Sequence, residues 1–356
     1  MTRYLLAGGG TSGHVNPLLS VAHAIRTKEP DARIVVVGTQ EGLEARLVPE
    51  AGFELVTIPR VPFPRRPNAY ALAFPVRFAR AVRQLRRLLR DRQIDVVVGF
   101  GGYVSTPAYV AARGRVPIVI HEANALPGLA NRLGARWTPY VGVTFPGTPL
   151  PHARLVGMPL RPQIEQIDRV RDRDAAAAAL GLDPSVPTLL VTTGSLGALR
   201  VNEAIVARAQ EWAKRGWQVV HVGGSRNPVP DPGVPGYRMF RYLDRMDLAL
   251  TVADFAVARA GAATVCEFAA LGIPAVFVPL PFGNGEQRRN AEPMAAAGGA
   301  IIVPDDEVSA HWVDTVLLPL LSDRERIAAM ARAAGGSGSR QGSANMVELI
   351  AEAVAQ

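Results

Sequence analysis

The most telling segment of this chain is Ala7-Gly8-Gly9-Gly10-Thr11-Ser12-Gly13-His14-Val15-Asn16-Pro17. An apolar run at 4–7 predicts a buried strand before it, and apolar residues at helical spacing over 18–25 predict a helix after it. A glycine-rich turn between a strand and a helix lets backbone N–H groups face an anion. We therefore predict a Rossmann-type turn in which His14 exchanges a proton near neutral pH. The alternative is a turn of this type with no surviving role.

The composition favours a cytoplasmic protein of two domains. At 356 residues the chain is longer than one hydrophobic core usually spans, and 48% of its residues are apolar, enough for two cores. No apolar run reaches the roughly 18 to 20 residues of a membrane span, and the N-terminal run stops at the glycines, unlike a signal peptide. The single cysteine, Cys266, excludes an intrachain disulfide and a cysteine-cluster metal site.

The chain is strongly basic, with a formal net charge of +8. Lys28 and Lys214 are its only lysines, so arginine supplies nearly all of the positive charge. Zinc-finger spacing, a basic tail and an aromatic-studded RNA motif are absent from the sequence, which argues against a nucleic-acid partner. An anionic membrane surface or an anionic substrate fits this charge better.

Apolar β-rich segments alternate with helical patterns along the whole chain, which is typical of parallel βαβ units. The polar, proline-marked stretch 159–174 separates the two halves. We expect an N-terminal domain over 1–160, a second over 161–335, and a C-terminal helix in 336–356 that packs back on the N-terminal domain after a flexible glycine-serine break. The predicted strands are 4–7, 34–38, 55–58, 96–99 and 118–121, then 188–192, 218–222, 255–258, 275–278 and 300–303.

The second half opens as the first does. An apolar run at 189–192 leads into Thr193-Gly194-Ser195-Leu196-Gly197-Ala198, and a helical pattern follows. Two Rossmann-like halves, each with a glycine turn after its first strand, predict a ligand cleft between them.

Polar or glycine-rich segments follow further predicted strands, at the sheet edge where ligands bind in open α/β sheets. One begins a helix whose free N–H groups suit a diphosphate, and another offers hydrogen bonds that suit sugar hydroxyls. Each segment has a plain alternative as an ordinary loop or a solvated surface. The four are Gly99-Phe100-Gly101-Gly102-Tyr103-Val104-Ser105, His121-Glu122-Ala123-Asn124, Ala258-Arg259-Ala260-Gly261-Ala262-Ala263-Thr264-Val265-Cys266-Glu267 and Pro279-Leu280-Pro281-Phe282-Gly283-Asn284-Gly285-Glu286-Gln287-Arg288-Arg289-Asn290-Ala291.

The sequence predicts neither an obligatory metal nor another cofactor. Asp172-Arg173-Asp174 has the Asp-x-Asp form that metal-dependent glycosyl transfer often uses, but it lies in the interdomain stretch, away from any strand end. We interpret it as a helix start. Serine-hydrolase, Walker A and zinc-protease motifs are absent from the sequence.

With these segments in place, the chain resembles the MurG family, the cytoplasmic N-acetylglucosaminyltransferases of bacterial peptidoglycan synthesis. The resemblance implies an α/β, GT-B fold of two Rossmann-like domains whose parallel sheets face a cleft. It also implies inverting transfer of GlcNAc from UDP-GlcNAc to the muramyl C4 hydroxyl of undecaprenyl-diphosphate-MurNAc-pentapeptide (lipid I), giving lipid II. The matching segments, in the family's order, are GGGTSGHVNP, VVVGFGGYVSTP, VIHEAN, LVGMPLRP, TGSLGA, YLDRM, RAGAATVCE and PLPFGNGEQRRNA.

The same resemblance implies a role for individual residues. His14 matches the family's general base or acceptor-positioning histidine. The residues that match the acceptor side are Thr11, Gly13, Tyr103, Glu122 and Asn124. The residues that match the donor side are Arg161 and Ser195 at the diphosphate, Leu243 at the uracil, Ala262, Ala263 and Thr264 at the phosphates, Glu267 at the ribose, and Glu286 and Gln287 at the GlcNAc hydroxyls. A helix N-terminus with Arg161 can stabilise the departing UDP without a metal.

Two residues depart from the family's pattern. Ser12 replaces a glycine, which is tolerable if the backbone there keeps φ below zero. Leu196 replaces a glutamine near the donor phosphates or the acceptor, which leaves open a related glycosyltransferase of secondary metabolism with another acceptor. A UDP-sugar 2-epimerase of the same fold and a non-enzymatic binding module are further alternatives, although the presence of acceptor-side segments argues against both.

The first half also carries an arginine-rich amphipathic segment, predicted as a helix over 74–90 and preceded by Phe63, Arg65 and Arg66. Such a segment suits the anionic inner face of the cytoplasmic membrane, so we expect a peripheral membrane protein. The apolar stripe Phe78, Val82, Leu85 and Leu89 either contacts lipid or packs on the sheet. In the second case, Phe63 and its neighbouring arginines make the lipid contact.

Overall fold

The computed structural model describes residues 1–64, 66, 68–194, 196–226 and 229–355. The chain divides into two compact units, each built on its own sheet. The first unit comprises Met1–Arg161 and Arg340–Gln356, and the second comprises Pro162–Ser339. Ser195, a predicted donor ligand, and Arg65, of the predicted membrane segment, lie outside the described residues.

The first unit contains a seven-stranded parallel sheet in the order β3-β2-β1-β4-β5-β6-β7. Successive residues of β1 face opposite sides of the sheet, so Leu5 and Leu6 belong to different core clusters, and both are fully buried. This two-sided burial is why the strands are nearly continuous apolar runs. The strands are β1 (Arg3–Ala7), β2 (Arg33–Gly38), β3 (Glu54–Thr57), β4 (Val96–Gly99), β5 (Ile118–Glu122), β6 (Tyr140–Val143) and β7 (Ala153–Leu155).

The second unit contains a six-stranded parallel sheet in the order β10-β9-β8-β11-β12-β13. Its central strand β8 lies between β9 and β11, as β1 lies between β2 and β4 in the first unit. Both units thus have the switch in strand order that opens a crevice at the carboxyl edge of a doubly wound sheet. The strands are β8 (Thr188–Thr192), β9 (Gln218–Val222), β10 (Tyr237–Phe240), β11 (Ala253–Ala258), β12 (Ala275–Phe277) and β13 (Ala300–Ile302).

Helices connect the strands. In the first unit they are α1 (Ser12–Lys28), α2 (Glu44–Glu50), α3 (Ala69–Asp91), α4 (Gly102–Ala112), α5 (Leu129–Gly134) and the C-terminal α16 (Gly342–Val354). In the second unit they are α6 (Pro162–Glu165), α7 (Arg173–Leu180), α8 (Leu199–Val206), α9 (Ala209–Lys214), α10 (Met246–Val252), α11 (Ala262–Leu271), α12 (Glu286–Ala296), α13 (Ala310–Trp312), α14 (Leu318–Ser322) and α15 (Arg324–Gly336). A π-helical turn, Val313–Leu317, joins α13 to α14.

The predicted α/β class with two parallel-sheet, Rossmann-like domains is confirmed, and every predicted strand has a counterpart within two residues at each end. Three strands were not predicted, namely β6, β7 and β10. All three residues of β7 are exposed, and Arg238 is exposed within β10, so neither forms an apolar run. In β6, Gly142 interrupts the run because a Cβ there would lie 2.7 Å from the Met346 sulfur.

The C-terminal helix α16 completes the core of the first unit. Met346, Leu349 and Ile350 are buried in the same cluster as Tyr4 and Leu6 of β1. Its apolar side chains, at helical spacing, thus cover one face of the first sheet together with those of α1.

The bounds of the two units differ from the predicted ones. The first unit ends after Arg161, so this arginine belongs to it, and the chain returns to the first unit at Arg340. The predicted flexible break is partly wrong, because Gly335 is helical in α15. A Cβ on Gly299 would lie 2.6 Å from backbone atoms of Ala334, so the close packing of this helix against the strand edge explains its order.

Helix α3 begins five residues earlier than predicted, because Asn68 caps it by accepting the Ala71 N–H at 3.0 Å. Its stripe of Val82, Leu85 and Leu89 packs into the first unit's core, so the sheet-packing alternative is the correct one. None of the helices in the described ranges combines the length and apolar character needed to cross a bilayer.

Candidate functional site

The first candidate site lies at the carboxyl edge of β1 and β4, which are neighbouring strands. His14, on the first turn of α1, and Tyr103, on the first turn of α4, follow these strands and therefore lie close together. The loops after both strands depend on glycine, since φ is +90° at Gly10 and +88° at Gly101, a region that other residues rarely adopt. Ser12 is the first residue of α1, with φ below zero, so its replacement of a glycine causes no backbone strain.

His14 is half-buried, and its imidazole rests on the second glycine loop. A Cβ on Gly101 would lie 3.2 Å from its Nε2. Nδ1 lies 3.2 Å from the Gly9 carbonyl oxygen and 3.1 Å from the Thr11 hydroxyl. Burial lowers the pKa of His14 below its ordinary value, against smaller opposing effects of the Gly9 carbonyl and the Glu44 charge. The imidazole is therefore neutral at pH 7 and able to accept a proton.

Tyr103 stands beside His14 at the start of α4. Its ring packs against Gly10, where a Cβ would lie 3.0 Å from it. Its hydroxyl lies 3.3 Å from that of Thr39, and the Arg60 guanidinium lies 5.2 Å from the ring centroid. This arrangement presents an aromatic surface and a cation at the same sheet edge. Thr11, at the N-cap of α1, and Gly13, on its first turn, are exposed.

Glu122 ends β5 and is buried, with 4% of its surface exposed. Its carboxylate accepts the N–H groups of Asn124 and Gly128 and the side-chain amide of Asn131, at 2.9 to 3.0 Å. Burial raises the pKa of Glu122, while these hydrogen bonds oppose the rise. The carboxylate therefore holds the loop after β5. Glu122 is buried, whereas Asn124 in this loop is half-buried and more accessible to solvent. Direct contact between Glu122 and an acceptor stays a prediction.

Asn131 was not predicted. Its amide donates to Glu122 and to the His121 carbonyl, and its Oδ1 accepts the Tyr109 hydroxyl at 2.7 Å. The residue is fully buried on α5, in a segment that reads as an ordinary amphipathic helix. Only its separation of nine residues from the strand-end carboxylate of Glu122 distinguishes it in the sequence.

Glu44, the first residue of α2, was also missed. Its side chain is completely buried and accepts the Gly10 N–H at 2.9 Å. It also accepts the N–H and the hydroxyl of Thr39, each at 2.9 Å. The expectation that the first glycine turn presents its N–H groups to an anion therefore fails at Gly10, because Glu44 already occupies that N–H.

In the second unit, the glycine loop after β8 adopts backbone angles that suit glycine, with φ of +78° at Gly194 and +81° at Gly197. It packs tightly, since a Cβ on Gly224 would overlap Gly197. Leu196, which replaces the family's glutamine, is 53% exposed. An apolar side chain thus stands at the loop surface where a polar one was expected.

A buried polar network lies below this loop. The Asn202 amide donates to the Gly223 carbonyl at 2.8 Å, which directs its Oδ1 toward Thr193 and His221. Since Oδ1 only accepts, His221 carries its proton on Nε2 and accepts the Tyr237 hydroxyl at Nδ1. Burial lowers the pKa of His221 to about 3. The network fixes the loop from below and takes no part in proton exchange near neutral pH.

Helix α11 begins directly after β11, at the carboxyl edge of the second sheet. Gly261 precedes it in an extended conformation, and Ala262, Ala263 and Thr264 form its first turn. The first N–H groups of a helix have no partner within it, so they face outward beside small side chains. Glu267 is half-buried on the next turn.

Arg259 braces this helix start. It donates to the carbonyls of Val278 and Pro279 at 3.0 and 3.1 Å, and it pairs with Asp305 at 2.6 Å. Arginine and aspartate side chains are each only 14% exposed. This pair ties the ends of β11 and β12 to the segment after β13, which the sequence pattern did not indicate.

Glu286 and Gln287 form the start of α12 rather than a loop. The Glu286 N–H donates to the Asn284 side chain at 3.2 Å, which turns the chain into the helix. The Gln287 Oε1 accepts the Leu280 N–H at 3.0 Å, so the nitrogen of this amide is its outward donor. Buried Asn290 was missed, and its amide donates to the Ala260 carbonyl at 3.3 Å, which links α12 to the start of α11.

The other predicted donor residues lie elsewhere. Leu243 is half-buried in the loop between β10 and α10. Arg161 is half-buried at the end of the first unit.

Asp172 stands at the N-cap position of α7, as the helix-start interpretation predicts. Its side chain makes no capping hydrogen bond, and its carboxylate pairs with Arg171 at 2.7 Å. Arg173 instead points to Asp254, with a contact of 2.8 Å. Among the described residues, no three His, Cys, Asp or Glu side chains cluster as metal ligands.

Family models match most of the chain. The glycosyltransferase family 28 N-terminal domain matches residues 4–143, and the corresponding C-terminal domain matches residues 188–349. A protein of Leifsonia xyli subsp. xyli is 62% identical over 98% of each chain. One of Clavibacter michiganensis subsp. michiganensis is 55% identical, over 100% of this chain and 97% of its own. Both are named UDP-N-acetylglucosamine–N-acetylmuramyl-(pentapeptide) pyrophosphoryl-undecaprenol N-acetylglucosamine transferase.

Solved structures agree. The crystal structure of Acinetobacter baumannii MurG matches with a TM-score of 0.78 and 27% identity, over 99% of this chain and all of that one. The UDP complex of Staphylococcus aureus MnaA matches with a TM-score of 0.70 at 14% identity, over 98% and 96% of the chains, and this likeness shows a shared fold alone. The two domain models, the identity to the relatives and the structural match together lead to one conclusion. The chain belongs to glycosyltransferase family 28, within its MurG branch.

Proposed function

We propose that this chain transfers GlcNAc from UDP-GlcNAc to the C4 hydroxyl of the MurNAc unit of lipid I, forming lipid II with inversion at the sugar. The observation that carries the proposal is the 62% identity, over 98% of each chain, to a relative named for this activity. The matched region spans both units.

An incubation with UDP-GlcNAc and a lipid I analogue, followed by mass spectrometry, tests the proposal. We expect a product heavier than the analogue by one N-acetylhexosamine residue, together with free UDP. Interconversion of UDP-GlcNAc with its 2-epimer would indicate the epimerase alternative instead. Consumption of UDP-GlcNAc only with a non-lipid acceptor would indicate a glycosyltransferase of secondary metabolism.

His14 is the general base in this proposal. Its Nε2 takes the proton of the acceptor C4 hydroxyl, whose oxygen forms the new bond to C1 of GlcNAc. The bond between C1 and the diphosphate oxygen breaks, and its electron pair leaves with UDP. A neutral imidazole suits this step, and burial keeps His14 in that form at neutral pH.

The second unit, which we assign to UDP-GlcNAc, supplies the charge stabilisation for the departing UDP. The small side chains at Ala262, Ala263 and Thr264 let a diphosphate approach the N–H groups of α11. By the family roles, Ser195 and Arg161, the latter from the first unit, act on the diphosphate, and Leu243 contacts the uracil through its backbone. Hydrogen bonds to the charged diphosphate of the departing UDP take the place of metal coordination. This distribution follows the family roles given above.

The sugar and ribose contacts come from charged or amide side chains in the same unit. Glu267 accepts from the ribose diol, a charge-assisted interaction. Glu286 and Gln287 hold the GlcNAc hydroxyls, and the fixed Oε1 of Gln287 leaves its NH₂ group as a donor.

The first unit takes the acceptor. On the acceptor side, the residues near His14 are Thr11, Gly13 and Tyr103. The loop held by Glu122 adds Asn124. A side chain that fixes such a loop affects acceptor binding even without touching the acceptor. We therefore assign Glu122 to the acceptor side through Asn124.

The first unit also docks on the anionic inner face of the cytoplasmic membrane, in our proposal. Leu72 and Val76, on the first two turns of α3, are 84% and 67% exposed, and Phe63 is 43% exposed. The Phe63 and Phe74 rings stack with centroids 5.4 Å apart, which joins the preceding loop to the helix. Exposed arginines flank these apolar side chains, as interfacial binding requires. The lipid tail of the acceptor can then stay in the bilayer while its sugar reaches His14.

A further inference from the structure

We propose that Glu44 orients the His14 imidazole through the peptide unit between Gly9 and Gly10, so that Nδ1 keeps its proton and Nε2 presents its lone pair. The effect on the imidazole concerns the protein alone. Its consequence for turnover rests on the proposed function, in which Nε2 of His14 is the base.

The geometry places one peptide unit between the carboxylate and the imidazole. Oε2 of Glu44 accepts the Gly10 N–H at 2.9 Å. The carbonyl oxygen of the same unit belongs to Gly9 and lies 3.2 Å from Nδ1 of His14. No cis peptide bond occurs among the described residues, so this N–H and this carbonyl point in opposite directions. Carboxylate, peptide and imidazole therefore form a chain of hydrogen bonds.

The direction of this chain selects a tautomer. A carbonyl oxygen can only accept, so it favours a proton on Nδ1. A negative charge on the N–H side polarises the amide and strengthens its carbonyl as an acceptor. The Thr11 hydroxyl, 3.1 Å from Nδ1, can act as donor or acceptor and by itself leaves the tautomer open. Glu44 thus supplies the bias that Thr11 does not.

The carboxylate is held firmly enough to exert this bias. Thr39 binds its other oxygen through both the N–H and the hydroxyl. A Cβ on Gly9, Gly38 or Gly42 would overlap the Glu44 side chain, so only glycine at these positions leaves room for it. Three glycines from two separate segments therefore form a closed pocket around one carboxylate.

The contact between Glu44 and Thr39 also extends to Tyr103 at the start of α4. The Thr39 hydroxyl lies 3.3 Å from the hydroxyl of Tyr103. Glu44 is the charged side chain that acts on His14, and it raises the pKa of His14 against the larger lowering by burial. The further titratable groups at this edge are Tyr103 and Arg60, which stack on each other. Among the described residues, no second carboxylate stands in this position toward the imidazole.

Nitrogen-15 NMR of the histidine rings tests the inference in the full chain without substrate. In the wild type we expect the His14 signals of a neutral ring protonated on Nδ1, assigned by comparison with His14→Gln. In Glu44→Gln the charge is lost, so we expect mixed tautomers and a still lower pKa of His14. Glu41→Gln, an exposed change three residues away, is the matched control and should leave the ring unchanged.

Kinetics supply the second readout. In Glu44→Gln we expect kcat to fall roughly tenfold, the acid limb of kcat to move to lower pH, and KM for UDP-GlcNAc to stay constant. A merely structural role would not move the acid limb in that direction. Should this variant not fold, Glu44→Asp keeps the charge and shortens the reach by one methylene group, and we expect it to mix the tautomers while retaining the acid limb.

The outcomes separate the two proposals. An unchanged tautomer and pKa of His14 in a folded Glu44→Gln would overturn the inference and leave the proposed function standing. An altered tautomer together with full activity of His14→Ala would support the inference about the ring and remove His14 from the proposed mechanism.

Discussion

His221 donates a hydrogen bond to Asn202 in the interior of the second unit, where His221 Nε2 lies 3.0 Å from Asn202 Oδ1 and both side chains are fully buried. Because Nδ1 accepts the Tyr237 hydroxyl, the ring has no remaining nitrogen at which to take a proton. Folding thus requires this histidine to be neutral. His121 in the first unit is also fully buried, and burial lowers its pKa to about 4.

Because His221 and His121 are buried in the neutral form, we expect the free energy of unfolding to fall as the pH is lowered. Their pKa values in the folded chain, about 3 for His221 and about 4 for His121, lie below the ordinary histidine value of 6.5, so the unfolded chain binds more protons below pH 6.5. The free energy of unfolding should then fall by about 1.4 kcal/mol per pH unit for each histidine between pH 6.5 and its folded pKa. Calorimetric scans from pH 7 to pH 4.5 measure this.

His311→Gln, a change of an exposed histidine, is the control and should retain the pH dependence. A melting temperature that stays constant down to pH 4.5 would contradict the assignment of two neutral, buried histidines.

Replacing Glu267 with alanine should weaken UDP-GlcNAc binding. A charge-assisted hydrogen bond is worth about 1.5–3 kcal/mol, or roughly a ten- to hundredfold change in affinity. Calorimetric titration with UDP measures the loss, and Glu325→Ala on exposed α15 is the matched control. Equal affinities for the wild type and Glu267→Ala would remove this residue from the donor site.

His14→Ala should lower kcat by roughly 10²- to 10⁴-fold, which is the contribution of a positioned base. UDP binding should change little, since we assign the donor to the second unit. In the wild type, the lowered pKa of His14 places the acid limb of activity below pH 6.5, because the neutral ring is the active form. Steady-state rates between pH 5 and 8 check both points. Near-normal turnover in the variant would leave His14 a structural residue of the loop.

Activity should survive excess EDTA. Asp172 of the Asp-x-Asp string stands at the N-cap position of α7 and pairs with Arg171, so a structural contact accounts for its carboxylate. The rate of UDP release before and after chelation measures the effect. Abolition of activity by EDTA, with recovery on adding Mg²⁺ or Mn²⁺, would establish a metal requirement instead.

Liposome binding should depend on the start of α3. Leu72→Ser with Val76→Ser should reduce co-sedimentation with anionic vesicles, whereas Leu155→Ser, at an equally exposed site of the first unit, should not. Changing Arg65, Arg66, Arg77 and Arg80 to Gln should remove the salt-sensitive part, at about 1 kcal/mol per arginine. Unaltered binding after both sets of changes would place the docking surface elsewhere.

The sequence indicated the framework well because buried parallel strands leave an unmistakable apolar pattern. All ten predicted strands exist, and His14 and Tyr103 lie together because β1 and β4 are neighbours. Glycine positions were informative for a separate physical reason, since Gly10 and Gly101 adopt positive φ.

The supporting polar residues were beyond reach because each is selected by contacts distant in the chain. Glu44 occupies a pocket formed by Gly9, Gly38 and Gly42, and only the fold brings these together. Likewise, Arg259 pairs with Asp305, although these residues follow different strands, β11 and β13. The stripe on α3 had two valid interpretations in sequence, and burial of Leu85 in the core decided between them.

The return of α16 to the first unit has a consequence for biosynthesis. Residues 1–161 are synthesised before the second unit, yet the apolar surface beneath Met346 and Ile350 is covered by α16, which is synthesised after the second unit. In the nascent chain, this surface therefore stays open to solvent and to chaperones while the second unit is synthesised. A stop codon at Arg340 would release a chain whose second unit is complete and whose first unit keeps this apolar surface exposed.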